Sequence, residues 1–284
     1  MKLLISTALA AFALTACNSG DDASKTASPG SQSDLTLRAT SDIKTVAPIK
    51  AATFVPNSVA TWLGHIILLD KQGKLHRATT DSAETDPVAL GKYTDVIGLK
   101  RDKKSGVFLA LTSQGDIKAF VQTDDSGNFG PMAVSQGGQT FERFCATAES
   151  RENTIWAKTA SKASQKLTIE IFEDSSLTLI AAESKGEETD PCSANNALSL
   201  TQDYTLKPSQ TANGLTLTSD SETLSLDITN GLSIGGINEA GLVTVTTTNM
   251  GSVFNQGVVL VAEENENRVV LISRDYILKE IKSP

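Results

Sequence analysis

Few residues of this chain are of a type that carries chemistry, and their spacing sorts them quickly. His65 and His76 are the two histidines, eleven positions apart. A zinc centre takes three or four ligands, and no third candidate falls at a matching spacing, so satisfied or surface histidines are the plainer reading. Glu183, Glu187, Glu188 and Asp190 crowd into one acidic run. Calcium takes six to eight hard oxygen ligands, so this run can hold one Ca²⁺ only loosely, with Glu188 and Asp190 as the metal candidates. A solvated loop explains it as well, and the same holds for Glu263–Glu266. There is no Gly-rich phosphate loop, nucleophile elbow or Cys-x-x-Cys. No catalytic residue is assigned from this inventory, and weakly held Ca²⁺ is the one cofactor considered.

The three cysteines divide by position. The chain opens with Met1–Lys2, an apolar stretch from Leu3 to Leu14, and then Leu14-Thr15-Ala16-Cys17. A basic start, a short apolar run and small residues before a cut are the anatomy of a secretory signal. A membrane-spanning anchor needs about 20 apolar residues, and this run is shorter. The sequence LTAC resembles the bacterial lipobox. That resemblance implies a signal peptide over 1–16, cleavage before Cys17, and diacylglyceryl and palmitate-type acylation of Cys17, so that the lipid membrane is a partner. Asn18 in place of Asp favours the outer membrane, which puts the expected location in the cell envelope. Export makes Cys145 and Cys192 an even pair in an oxidising compartment, so a disulfide between them is expected; two buried free thiols are the alternative.

The elements that must position these residues read as strands. GHIILLDKQGKLHRA begins at Gly64 and GVFLALTSQGDIKAF begins 42 residues later at Gly106. In each, a second glycine follows nine positions on, at Gly73 and Gly115. GVVLVAEENENRVVLIS, from Gly257 to Ser273, has the same run, polar turn and run. The runs are short and rich in Val, Ile and Leu, which fits strands better than helices. Hairpins start near 64, 106, 153, 214 and 257. A period of 40 to 50 residues with about four strands each is the signature of a β-propeller. The expectation is an all-β fold, a propeller of five to six four-stranded blades over residues 49–284. Residues 17–48, poor in anything to bury, are expected to be the lipidated Cys and a flexible tether. LTLTSDSETLSLDI alternates cleanly and predicts one wet face. Trp62 and Trp156 are expected to pack between blades. A sandwich or an eight-stranded barrel would not explain the repeated unit.

Composition agrees with this and narrows the partners. Of 284 residues, 39% are hydrophobic, 20% charged and 5% aromatic. The formal net charge of −8 excludes nucleic acid as a partner of the protein as a whole. A basic pocket for an anionic ligand remains compatible with it.

Several segments resemble the β-propeller phytases, six-bladed calcium-dependent phosphatases. Gly236-Ile237-Asn238 followed by Phe254-Asn255-Gln256-Gly257 resembles the family's Gly-Ile-Asp and Phe-x-x-Gly segments. Arg143-Phe144-Cys145-Ala146-Thr147, Asp190-Pro191-Cys192-Ser193-Ala194-Asn195-Asn196, Asn213-Gly214-Leu215-Thr216-Leu217 and Val59-Ala60-Thr61-Trp62 resemble further family segments in the same order. The resemblance also pairs Cys145 with Cys192, and it places Lys71 and Lys162 where the family contacts phosphate. The family's calcium cage, however, is largely emptied here. Its acidic positions read Asn57-Ser58, Asn195, Asn196, Thr211, Asn213 and Asn238, with Asp190 the survivor, and its phosphate-binding arginine reads Gln114 or a neighbour. Clustered Ca²⁺ ions activate the attacking water in such chemistry, and amides cannot hold several divalent ions together. The resemblance therefore implies an anchored binding or accessory module, with a phosphorylated small molecule or an envelope protein as partner. A working calcium-dependent phosphatase is the alternative, and a structural propeller without a small ligand a further one.

Overall fold

The computed structural model describes residues 35–57, 60–99, 106–124, 126–145, 154–159, 161, 164–172, 176–181, 192, 198–209 and 214–282. Among these, strand follows strand. The N-terminal pair is β1 (Leu35–Arg38) and β2 (Ser41–Lys44). A first four-stranded sheet is β3 (Ile49–Val55), β4 (His65–Asp70), β5 (Leu75–Ala78) and β6 (Asp86–Ala89). Next come β7 (Tyr93–Leu99), β8 (Val107–Thr112), β9 (Ile117–Gln122) and β10 (Phe129–Ser135). The third group is β11 (Phe141–Cys145), β12 (Thr154–Thr159), β13 (Ser164–Ile171) and β14 (Ser176–Ala181). β15 (Leu198–Ser199), β16 (Thr205–Pro208), β17 (Gly214–Thr218) and β18 (Thr223–Thr229) form the fourth, with β1 added in parallel on its outer edge. The fifth is β19 (Ala240–Thr246), β20 (Val258–Glu263) and β21 (Arg268–Ser273), completed by β2. The second and third groups join into one eight-stranded sheet where β10 pairs β14 in parallel.

The apolar runs are continuous because they are covered on both faces. In β20, Val258, Leu260 and Ala262 pack with Ile66 and Leu68 of β4, whereas Val259 and Val261 turn to Leu215, Leu217 and Ile228 of the fourth sheet. In β4, Ile67 and Leu69 turn the other way, to Phe108 and Ala110 of β8. β8 in turn sends Val107, Leu109 and Leu111 to Ile155 and Leu167 of the third sheet. The first, second and fifth sheets thus have two apolar faces, one for each neighbour, and side chains alternate between them with the strand period. This is how stacked blades build a propeller from sheets that could not bury their faces alone. Each fully buried aliphatic contributes about 1.5–3 kcal/mol. Among the described residues no comparable cluster joins the third and fourth sheets, where Lys166, Thr168 and Glu170 lie opposite in register phase to the buried Leu167 and Ile169.

The repeated second glycine has a physical reason. Gly73 and Gly115 both take φ of +86°, in the left-handed region that favours glycine. The carbonyl of Gly73 accepts from Tyr93 N at 2.8 Å, and that of Gly115 from Phe141 N at 3.0 Å. The tight turn of one sheet therefore docks the first strand of the next. Asp70 Oδ1 accepts from Lys74 N at 2.8 Å in the first turn, and Thr112 Oγ1 from Asp116 N at 3.1 Å in the second.

Two expectations need correction. The fold begins by Leu35, not near 49: Leu37 and Ile43 are buried, and β1 and β2 cover the outer edges of the fourth and fifth sheets. An LTLR-x-x-SDIK segment looks too polar to fold alone, but each strand needs to bury one face only. Second, Trp62 does not pack between blades; it lies in a 3-10 turn, Thr61–Leu63, with 57% of its surface exposed. Arg274–Lys282 is a helix, α1, held by Ile277 in the core and by an Asp275–Lys279 pair one turn apart. No helix among the described residues is long and apolar enough to cross a membrane.

Candidate functional site

Among the described residues, two places that gather charge stand out. The first is a belt at one end of the inner strands. β3, β7 and β11 stand side by side without forming a ladder, so side chains bond across the joints instead. Lys50, near the start of β3, donates from Nζ to Tyr93 O at 3.0 Å. Asp95, near the start of β7, accepts from Phe144 N of β11 at 2.7 Å on Oδ2 and from Val96 N at 2.8 Å on Oδ1. Arg143 Nη2 donates to Cys192 O at 2.6 Å. Lys71 carries the belt back to the fifth sheet, donating to Glu264 O at 2.6 Å. Burial pushes the Asp95 carboxyl up to about 6, while the two backbone amides, Lys50 and Arg143 pull the other way. Asp95 is thus poised to change charge near neutral pH, as few carboxylates are.

The second place is a cleft of about 370 Å³ bounded by Asp227, Asn230, Gly235, Gly236, Asn238 and Arg268. Arg268 fills its inner end. Its Nε donates to Glu263 Oε2 at 2.5 Å, Nη1 to Gly235 O at 3.2 Å and Nη2 to Gly236 O. Asp42 Oδ2 lies 3.9 Å from Nη1. Glu263, 1% exposed, accepts Asn238 N at 2.9 Å on its other oxygen. Carboxylate and carbonyl oxygens converge here much as they would on a hard cation, but the positive charge they meet is a guanidinium. The expectation of a solvated turn at Glu263 is therefore wrong at its first residue: Glu263 is a buried partner, and the exposed part of the loop starts at Glu264.

The remaining predicted site residues fall as follows. Cys145 and Cys192 form a disulfide with Cα atoms 5.0 Å apart, and Trp156 packs beside it. Lys71 belongs to the belt, with its side chain 43% exposed. Cys17, Lys162, Glu188 and Asp190 lie outside the described residues, as do Asn195, Asn196, Thr211 and Asn213. Asn57 is buried and its Oδ1 accepts from Ala60 N at 3.3 Å, shaping the connection before β4. Gln114 lies exposed in the β8–β9 turn. The histidines are used separately. His76 Nε2 bonds Asp70 Oδ2 at 2.9 Å in a buried pair. His65 packs edge-on to Phe129 with ring centres 5.6 Å apart, and burial, then Arg77, holds its pKa below the usual value. Among the described residues no three of His, Cys, Asp and Glu converge as metal ligands.

Lys50, Asp95, Arg143 and Arg268 were not singled out from sequence as a set. A signal was there for two of them: Asp95 interrupts the apolar strand Tyr93–Leu99, and Arg143 sits between Phe141 and Phe144.

No family model matches the sequence, and no curated protein matches it. Among solved structures the chain is similar to Sqt1 from Chaetomium thermophilum, at 13% identity and a TM-score of 0.37, over 78% of this chain and 57% of that one. It is also similar to YCF48 from Cyanidioschyzon merolae, at 9% identity and a TM-score of 0.31, over 74% of this chain and 64% of that one. The chain spans less than two thirds of the length of either.

Proposed function

We propose that this protein is a lipid-anchored binding or scaffold module of the cell envelope, a propeller of phytase-like descent in which calcium chemistry has given way to internal ion pairing. The observation that carries this reading is Arg268. The Gly236-Ile237-Asn238 segment, which resembles a calcium-binding segment of the family, closes on a guanidinium already paired to Glu263. A divalent ion would have to displace a side chain tied to the chain at four oxygens, in a place where the single buried carboxylate is neutralised. The propeller type of fold supports the module reading, since blades present their connections on rigid sheets. Acylation of Cys17 supplies the attachment, because several acyl chains hold durably where one is marginal.

Calcium titration tests the chemical half. Millimolar Ca²⁺ is expected to leave the melting temperature of the purified protein unchanged. A rise that saturates with Ca²⁺ and is absent with Mg²⁺ contradicts the proposal, since any ligand of the native state alone raises stability by mass action. Radiolabelled palmitate tests the other half: incorporation is expected in the wild type and lost in Cys17→Ala, and labelling that persists in the variant refutes the anchor.

A further inference from the structure

Three large apolar side chains stand in water on two turns that abut. Trp62 and Leu63, 57% and 51% exposed, belong to the 3-10 turn before β4. Val253, 45% exposed, belongs to a second 3-10 turn, Ser252–Phe254, between β19 and β20. A Cβ added at Gly251 would lie 3.0 Å from Trp62 O and 3.6 Å from Trp62 Cβ, and one added at Gly64 would lie 3.0 Å from Met250 Sδ. The turns therefore pack closely where the first and fifth sheets meet. They are also braced from beneath. Met250 and Phe254 are buried with Ile66 and Leu68. Asn249 Oδ1 accepts from Gly251 N at 2.8 Å, Thr80 Oγ1 donates to Met250 O at 3.1 Å, and Ser273 Oγ donates to Val253 O at 2.8 Å. Ser252, with φ of +45°, is the one non-glycine residue in the left-handed region among the described residues. Such strain persists only where the surroundings impose it, and it clusters at functional sites. We propose that, on a chain anchored through Cys17 as above, Trp62, Leu63 and Val253 enter the lipid surface and fix which end of the propeller faces it.

Charge, area and reach favour lipid as the occupant. Residues 57–64 and 246–257 contain no Asp, Glu, Lys or Arg, in a chain with 20% charged residues. Thr, Ser, Asn and Gln stand between the apolar side chains instead. A tryptophan beside aliphatics on such a turn suits the headgroup boundary, where an amphipathic ring has one end in lipid and the other wet. At these exposures the three side chains offer roughly 300 Å² of apolar surface. A stable protein interface takes about 800 Å² from each partner. Lipid insertion meets no such threshold when acyl chains already hold the protein at the surface, because the local concentration of lipid is high. The chain between Cys17 and Leu35 can extend to about 60 Å, enough for either end of the blades to meet the membrane. The rigid backing by Met250 and Phe254 lowers the ordering cost of insertion.

Tryptophan fluorescence of the acylated full chain on phosphatidylcholine vesicles reads this contact. The chain has two tryptophans, and Trp156 is buried beside the disulfide. On plain vesicles the Trp62 emission is expected to shift to the blue. On vesicles of lipid brominated near the headgroup it is expected to be largely quenched, at low and high salt alike, since the contact is uncharged. Trp62→Phe is expected to remove both changes while the chain still floats with the vesicles. The double variant Leu63→Ser, Val253→Ser keeps the fluorophore and is expected to weaken the quenching. A chain that floats with the vesicles but keeps a solvent-like, unquenched Trp62 overturns the proposal and leaves the anchor standing. A chain that does not float refutes the anchor and this contact with it. A blue shift without bromolipid quenching gives the patch to a second copy or another protein and equally overturns the proposal.

Discussion

Glu263 has 1% of its surface exposed, and its carboxylate oxygens are met by Arg268 and by Asn238 N. Removing one partner of such a pair strands a charge away from water, and that is worse than removing both. Glu263→Gln is expected to lower stability by roughly 3 kcal/mol and Arg268→Met by a similar amount, read as a shift in the urea midpoint at constant slope. A double Glu263→Gln, Arg268→Met variant should recover part of the loss. Asp95 makes the opposite prediction about pH. Its folded pKa, about 6, lies above the ordinary aspartate value of 3.8, so the native state holds the extra proton between those values. Stability therefore falls as pH rises through that window. Relative to Asp95→Asn, the wild type is expected to lose roughly 2–3 kcal/mol between about pH 4 and pH 7, measured by denaturant titration at each pH. A flat difference would mean that the carboxyl is not strained by burial.

At the scale of elements, the inner hairpins were legible because their two runs are apolar throughout and their turns are polar. β4, β5, β8, β9, β20 and β21 lie where the Val, Ile and Leu runs put them. The wet face in LTLTSDSETLSLDI is also present: Leu215, Leu217, Leu226 and Ile228 are buried, and Thr216 and Ser225 alternate with them. The outer strands were illegible. β1, β2, β6 and β10 each bury few residues, so they leave almost no hydrophobic signal, and β1 and β2 take partners far along the chain. β2 is the clearest case, pairing Ile43 with Val269. A chain cut to begin at residue 49 would expose the edges of β18 and β21 and uncover the side of the core that Leu37 and Ile43 close. Exposed flat edges invite intermolecular pairing, so that truncation is expected to aggregate, whereas a chain beginning at residue 32 stays monodisperse on size exclusion. The turns carry their own test. Gly73→Ala places a Cβ 2.9 Å from Tyr93 O at a φ of +86°. The substitution is expected to cost about 1–3 kcal/mol, by thermal melting.

Over the whole molecule, neighbouring sheets share their cores, and the candidate sites lie at the joints between them. The charged belt crosses from the first sheet to the second through Lys50 and from the second to the third through Asp95. The disulfide adds a covalent tie between cysteines 47 positions apart and carries Trp156 against it. The pairing of Cys145 with Cys192 could be expected from their number and compartment, but its neighbourhood could not: that Arg143 also holds Cys192 O is a fact of packing. Replacing both cysteines by serine is expected to cost about 2–4 kcal/mol, with Trp156 emission reporting the change. The amides at the positions that the phytase resemblance would make acidic were equally legible. The guanidinium beside one of them was not, because Arg268 and Gly236 are 32 residues apart and meet only in the fold. The account therefore turns on whether an internal guanidinium has taken over from calcium. Phosphate release from phytate, with millimolar Ca²⁺ and the full chain, measures this directly. No release above background is predicted, with or without EGTA; steady turnover that EGTA abolishes would contradict the account.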